Sequence, residues 1–265
     1  MPNTFESHVV LVTGAAGGIG GATAAEFAAH GAEVVLADLS APDELAATLT
    51  AKFEARCRAV AMDVTSSDSI ASAFAAVGRD VSIVVNNAGV MQRLSADHHT
   101  LPEADLDRML AVHVSGAAKV AAAALPAMRR VGFGRIINIS SVIGHVGLQR
   151  RTSYSTAKAA IGGLTRGLAL ENGRYGVTVN SVSPGYVLTD VLRAKIAAGT
   201  LAYEPFAQRS AVGRWAAPVE IARVIRFLAE PASGFITGAD WLVDGGYAVN
   251  GNPGEDLGPL AGSPA

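Results

Sequence analysis

Runs of Val, Ile and Leu recur along the chain, separated by longer alanine-rich stretches in which apolar residues return at helical spacing. The first run, HVVLVTG at 8–14, leads into a helical stretch to about His30 and then into EVVLAD at 33–38, which together make a βαβ unit. Further strands are expected at 58–62, 81–86, 134–140, 177–182 and 240–243, with helices between them, including long ones at about 103–130 and 152–174. Seven near-continuous apolar strands joined by helical crossovers predict a parallel sheet covered on both faces. The fold class is therefore α/β, a single Rossmann-like doubly wound domain over residues 1–249. The segment 250–265, NGNPGEDLGPLAGSPA, is rich in Gly and Pro and reads as a tail without regular structure, either mobile or packed on a neighbouring subunit.

Composition narrows the function classes. Half of the 265 residues are hydrophobic, enough for a sizeable core. Lys plus Arg number 21 against 23 Asp plus Glu, a formal charge of -2 that gives no reason to expect nucleic acid or an anionic membrane as partner. Cys57 is the single cysteine and cannot form an internal disulfide, which fits a reducing cytoplasm. The N-terminus lacks a basic and then apolar leader, and no run of 18 apolar residues occurs, so a soluble, cytoplasmic protein is expected. The six histidines show no HExxH and no Cys-His ligand spacing, so no metal site is indicated.

Chemistry enters at two places. TGAAGGIG at 13–20 lies where the first strand passes into the first helix, with Gly14, Gly18 and Gly20 allowing a tight turn and close approach of backbone to a pyrophosphate at the helix N-terminus. Asp38 ends the second strand, where a carboxylate can accept hydrogen bonds from both ribose hydroxyls; the competing reading is a cap for the next element. A 2′-phosphate would face that carboxylate, and neither Gly17 nor Leu39 supplies a compensating base. At an effective dielectric of ~20 the repulsion is a few kcal/mol, on the order of a hundredfold preference for NAD.

The second place is SYSTAKAAIGGL, in which Tyr154 and Lys158 stand four apart on one helix face. An ammonium about 4 Å from the phenol would favour phenolate by roughly 4 kcal/mol before desolvation. The spacing alone occurs by chance in many helices. Surrounding motifs give it weight.

TGxxxGxG at 13–20, NNAG at 86–89, Ser141, the Tyr154–Lys158 pair and PGxxxT at 184–189, in this order and spacing, resemble the short-chain dehydrogenase/reductase family over roughly residues 8–248. The resemblance implies that Gly14, Gly18, Ile19 and Gly20 form the pyrophosphate loop, that Asp38 holds the ribose, and that Asp63 and Val64 bracket the adenine. It implies that Asn87, Ala88 and Gly89 run beneath the adenine ribose, and that Pro184, Gly185, Val187 and Thr189 hold the nicotinamide carboxamide. Ser141 would hydrogen-bond the substrate oxygen, Tyr154 would exchange its proton, and Lys158 would bond the nicotinamide ribose while lowering the phenol pKa. Ser140 competes with Ser141 for that role. DGG at 244–246 resembles the family's C-terminal signature and is read as structural.

One position departs from the family. Where an asparagine usually helps hold a water leading from the lysine to solvent, this chain has His113. An imidazole can also donate and accept, so His113 is expected either to join the proton relay, adding a titration in the histidine range, or to be a satisfied interior histidine.

The rim of the pocket is expected at Val90 to Arg93, Val142 to Arg151 and Tyr186 to Arg214. It mixes apolar Met91, Val142, Val146, Leu148, Leu188, Leu192 and Phe206 with basic Arg150, Arg151, Arg193 and Lys195. A mainly apolar secondary alcohol or its ketone is the first expectation, with an acidic substrate held by an arginine as the alternative. The long alanine-rich helices suggest burial between subunits, and the resemblance implies a homotetramer. Two other functions remain open: an NADPH-dependent 3-oxoacyl thioester reductase, which would want a base near 17 or 39, and a non-catalytic nucleotide-binding regulator, which would not need Ser141, Tyr154 and Lys158 together.

Overall fold

The computed structural model describes residues 4–92 and 95–251; Arg93 and most of the Gly- and Pro-rich tail, from 252 on, lie outside them. All seven expected strands form: β1 (Val9–Thr13), β2 (Glu33–Asp38), β3 (Cys57–Ala61), β4 (Ile83–Asn86), β5 (Gly134–Ile139), β6 (Val177–Pro184) and β7 (Asp240–Val243). They make one sheet in the order β3-β2-β1-β4-β5-β6-β7, and every pairing is parallel. Successive side chains of β1 serve opposite faces: Val10 and Val12 enter one core with Phe27, Leu36, Ile221 and Ile225, whereas Val9 and Leu11 enter the other with Val84, Val120 and Met128. Two cores explain why the interiors of β1, β2 and β4 lack polar alternation.

The helices are α1 (Gly18–Ala28), α2 (Asp43–Phe53), α3 (Ser67–Val77), α4 (Glu103–Leu110), α5 (Ala117–Val131), α6 (Ile143–Val146), α7 (Thr152–Asn172), α8 (Asp190–Ala197), α9 (Glu204–Arg209) and α10 (Pro218–Ala229). Helices α4 and α5 are not the uninterrupted α-helix expected at 103–130. A π-helical segment, Ala111–Gly116, joins them and carries His113. Such wide turns occur mostly at functional sites, because the extra residue re-aims a side chain. The combined helix is long and apolar enough to cross a membrane by length and composition. Its Val120, Ala121, Ala124 and Met128 are, however, already buried against the sheet.

β1 has β2 on one side and β4 on the other, so the chain's direction of winding reverses between β1 and β4. The crevice outside the strand C-termini at that reversal is where open α/β sheets bind ligands. Both the glycine loop, after β1, and NNAG, after β4, end there.

Candidate active site

The glycine loop is held shut by its own backbone. Gly14 has φ +65, and a Cβ there would lie 2.9 Å from the Ala88 Cα; a Cβ on Gly20 would meet the Gly14 carbonyl oxygen at 2.2 Å. Asn87 closes the same turn by donating from Nδ2 to the carbonyls of Thr13 (3.0 Å) and Gly14 (2.9 Å). Buried Thr13 turns its hydroxyl oxygen toward the backbone N–H groups of Asn87 (3.0 Å) and Ala88 (2.9 Å), locking the ends of β1 and β4 together. No side chain caps α1, whose N-terminal residue follows an extended Gly17, so its first N–H groups and positive dipole end remain for a ligand. Asp38 accepts from Ala16 N at 3.0 Å and Leu39 N at 2.8 Å, which fixes an acceptor-only carboxylate beside the loop. An uncapped helix end next to a fixed carboxylate is the donor and acceptor set that a pyrophosphate and a ribose diol require. The residues present fit a dinucleotide.

The remaining cofactor candidates line up around this end. Asp63 folds its own turn, accepting from the Thr65 N–H at 2.8 Å and hydroxyl at 2.7 Å, bonds that pull its carboxyl below the usual range. Val64 packs on Gly116, where a Cβ would come within 2.8 Å of its side chain. Ile19, Asn87 and Gly89 line a cavity of about 390 Å³ together with Pro184, Gly185, Val187 and Thr189. A Cβ on Gly185 would lie 2.8 Å from the Asp244 Cα, and the Asp244 carboxylate accepts from Gly246 N and Ala248 N, so DGG is structural as expected. Thr189 does more than its motif implied: its hydroxyl accepts from Leu192 N as the N-cap of α8.

Ser141, Tyr154, Lys158 and His113 line the same cavity. The two serines separate cleanly. Ser140 donates its hydroxyl to the Lys158 carbonyl at 2.7 Å and so anchors α7 to the end of β5, while the Ser141 hydroxyl oxygen accepts from Ile143 N at 3.2 Å and also lies within hydrogen-bonding reach of the Tyr154 phenol. Lys158 is buried, and its Nζ donates to the Ile139 carbonyl at 2.8 Å. Burial pushes its pKa down to about 7.

The electrostatics of the site bear on two expectations. Burial raises the Tyr154 phenol above its ordinary pKa, and the opposing influence is Ser141. The ammonium of Lys158 donates to the Ile139 carbonyl and lies 5.7 Å from the phenol ring centroid, and it is not among the influences that set the phenol. The second concerns His113, which is 4 % exposed, with Nε2 at 2.9 Å from the Val90 carbonyl and 3.2 Å from the Val90 N–H. Desolvation, aided by the charge of Lys158, lowers its pKa to about 3. A group that stays neutral near pH 7 cannot give the extra titration expected in the histidine range. Its ring meets that of Tyr154 edge-on at 5.8 Å, and Gly89 makes room for it, since a Cβ there would be 2.6 Å from Cε1.

Of the expected rim, Met91, Val142, Leu148, Leu192 and Arg151 line the cavity; Arg150, Arg193 and Lys195 do not, and Arg93 lies outside the described residues. Gln92 escaped the sequence reading. It is 3 % exposed, donates to the Arg150 carbonyl, accepts at long range from Tyr154 N (3.4 Å), and its carbonyl receives Arg151 Nη1. It thereby ties the loop after NNAG to the first turn of α7. Nothing in its local sequence signals this, because both partners are some sixty residues away.

A family model described as enoyl-(acyl carrier protein) reductase matches residues 14–248. The chain is 38% identical over 252 residues to a cis-4-hydroxycyclohexanecarboxylate dehydrogenase of Sinomonas cyclohexanicum, covering 94% of this chain and 100% of that one. It is 40% identical over 261 residues to the trans-4-hydroxycyclohexanecarboxylate dehydrogenase of the same organism, covering 94% and 95%. The crystal structure of a candidate 2-deoxy-D-gluconate 3-dehydrogenase from Agrobacterium tumefaciens with bound NADP superposes with a TM-score of 0.83 at 34% identity, covering 94% of this chain and 99% of that one. With the parallel seven-stranded sheet, the glycine loop and the Ser141, Tyr154 and Lys158 cavity in place, the chain belongs to the short-chain dehydrogenase/reductase family.

Proposed function

We propose that the protein is an NAD-dependent oxidoreductase that interconverts a secondary alcohol and its ketone. The observation that carries the reading is the convergence of Ser141, Tyr154 and Lys158 on one cavity whose other end is the glycine loop. The hydroxyl-oxidising activities named for the Sinomonas relatives support the same class of substrate.

In this reading Ser141 orients the substrate oxygen and Tyr154 takes its proton at the phenolic oxygen. When bound, an oxidised nicotinamide dinucleotide supplies the hydride-accepting carbon and a positive charge beside Tyr154. Because burial raises the phenol's pKa, proton acceptance relies on Ser141 and on charge brought into the cavity. Lys158, bonded to Ile139, offers its remaining N–H groups to a ribose and passes a proton outward. His113 stays neutral and positions the Val90 loop, which forms one wall.

The preference for NAD rests on Asp38, held by two backbone N–H groups, with glycine and leucine at 17 and 39. That carboxylate also disfavours the NADPH-dependent thioester reductase reading. The test compares kcat/KM for NAD+ and NADP+ across a panel of secondary alcohols that includes 4-hydroxycyclohexanecarboxylates. NAD+ is expected to win by on the order of a hundredfold. A preference for NADP+ refutes the cofactor assignment, whereas no turnover of any alcohol refutes the oxidoreductase reading itself.

Tyr154→Phe is expected to lower kcat by at least ~10²-fold with cofactor affinity nearly unchanged. Near-normal turnover would remove Tyr154 from its role. We further propose a cytoplasmic homotetramer, supported by small-residue helices α5 and α7 and by outward residues such as Leu170, 87% exposed. Sedimentation of the purified chain checks the oligomeric state, and a monomer at micromolar concentration rejects it.

A further inference from the structure

The cavity contains a cation that the hydride chemistry does not use. Its walls are mainly apolar, with Met91, Val142, Ile143, Leu148, Val191 and Leu192 among them, and among the described residues no Asp or Glu lines it. Two cations do. Lys158 belongs to the proton path, which leaves Arg151.

Neighbouring Arg150 shows the contrast. It is exposed, lies off the cavity and pairs with Asp97 at 3.5 Å. Arg151 is only partly exposed, has no carboxylate within ion-pair distance among the described residues, and spends one donor on the Gln92 carbonyl at 3.1 Å. A guanidinium carries five donors, so most remain for a ligand. Its charge is felt at the Tyr186 phenol, another residue lining the cavity, where it opposes the effect of burial. Arg151 and its Gln92 partner both line the cavity. A cation beside apolar walls without a counter-ion is costly, and an anion entering the cavity relieves that cost. Arg151 is also the N-cap of the 21-residue α7, three residues before Tyr154, so the helix's positive end adds to its pull on an anion.

Resting on the alcohol chemistry proposed above, we propose that the substrate is a hydroxycarboxylate with a compact apolar carbon frame. Its carboxylate is held by Arg151 and its carbinol lies between Ser141 and Tyr154. Arg151 is then the specificity-determining residue: it selects among alcohols and takes no part in moving the hydride or the proton. The frame between the two polar ends contacts Val142, Leu148 and Leu192, which offer no partner to the extra hydroxyls of a sugar acid.

The test uses the full chain and follows NAD+ reduction with cis- and trans-4-hydroxycyclohexanecarboxylate, their neutral methyl esters, and gluconate. In the wild type, kcat/KM for the better acid is expected to exceed that for its ester by roughly 30- to 100-fold, the range for a charge-assisted hydrogen-bonded pair. Arg151→Gln should bring the acid-to-ester ratio close to one, chiefly through KM for the acid, and Arg151→Lys should restore part of it. Cofactor binding, read by quenching of protein fluorescence, checks that the variants are folded.

Equal kcat/KM for acid and ester in the wild type overturns the proposal, whether or not any variant folds. So does an Arg151→Gln protein that loses activity on both by the same factor, because that is the mark of a structural arginine. Preference for gluconate over the alicyclic acids overturns the apolar frame. Turnover of esters and neutral alcohols without preference sinks the carboxylate while leaving the oxidoreductase reading intact. Absence of turnover with every alcohol sinks both.

Discussion

His113 should make the protein sensitive to acid in a way that a single substitution removes. Its imidazole is neutral in the folded state, with a pKa lowered from 6.5 to about 3 by desolvation and by Lys158. In the unfolded chain it titrates normally. Below pH 6.5 the unfolded state therefore binds a proton that the folded state refuses, so the stability contributed by neutral His113 is complete above pH 6.5 and is lost progressively as pH falls toward about 3. Each pH step below 6.5 costs about 1.4 kcal/mol, so the loss at pH 5 is about 2 kcal/mol. At pH 5 that figure depends only on the unfolded titration, because the folded group is still neutral there. His113→Asn fits the space and has nothing to titrate. Urea unfolding of both proteins at pH 7.5 and pH 5, at one protein concentration so that any assembly contributes equally, should show the wild type losing about 2 kcal/mol more than the variant. His8, also lowered by burial, is common to both and cancels. Equal losses in the two proteins would mean that His113 takes up its proton in the fold, and the account of its burial between Val90, Gly89 and Tyr154 would be wrong.

Other substitutions test the site's packing. Gly89→Ala places a Cβ 2.6 Å from the His113 ring and should cost about 1–3 kcal/mol of stability, most of it recovered in the Gly89→Ala, His113→Asn double variant; a full cost in both backgrounds would show that the ring is not what the glycine accommodates. Ser140→Ala should lower stability by about 1 kcal/mol with little change in kcat, whereas Ser141→Ala, which also frees the Ile143 N–H, should lower kcat by roughly 10²-fold beside a stability loss of similar size. A large loss of turnover in Ser140→Ala with near-normal turnover in Ser141→Ala would exchange the roles of the two serines.

Much of the fold was legible because its signals are local. Parallel strands buried on both faces have to be apolar throughout, and β1, β2 and β4 read so without interruption. The glycine loop was legible for a similar reason: Gly14 and Gly20 are required by a backbone bend and by contacts within the motifs. What the sequence missed was the break in the long helix. No proline or polar run in AVHVSG announces a π-helical segment, and the glycine that ends it, Gly116, finds its reason only against Val64, fifty-two positions earlier.

By itself, then, the sequence determined the seven-stranded architecture, the nucleotide end with Asp38, and the residue types of the chemistry, because periodicity, spacing and motif order are properties of the chain. Tertiary structure decided where those groups stand and which partners they find. It tied Ser140 to the Lys158 carbonyl and set Ser141 beside the phenol and the Ile143 N–H, raised Tyr154 by burial, kept His113 neutral, and placed Arg151, of four candidate bases, on the cavity. Desolvation and the fields of distant neighbours set those outcomes, and they exist only once segments far apart in the chain enclose a common space.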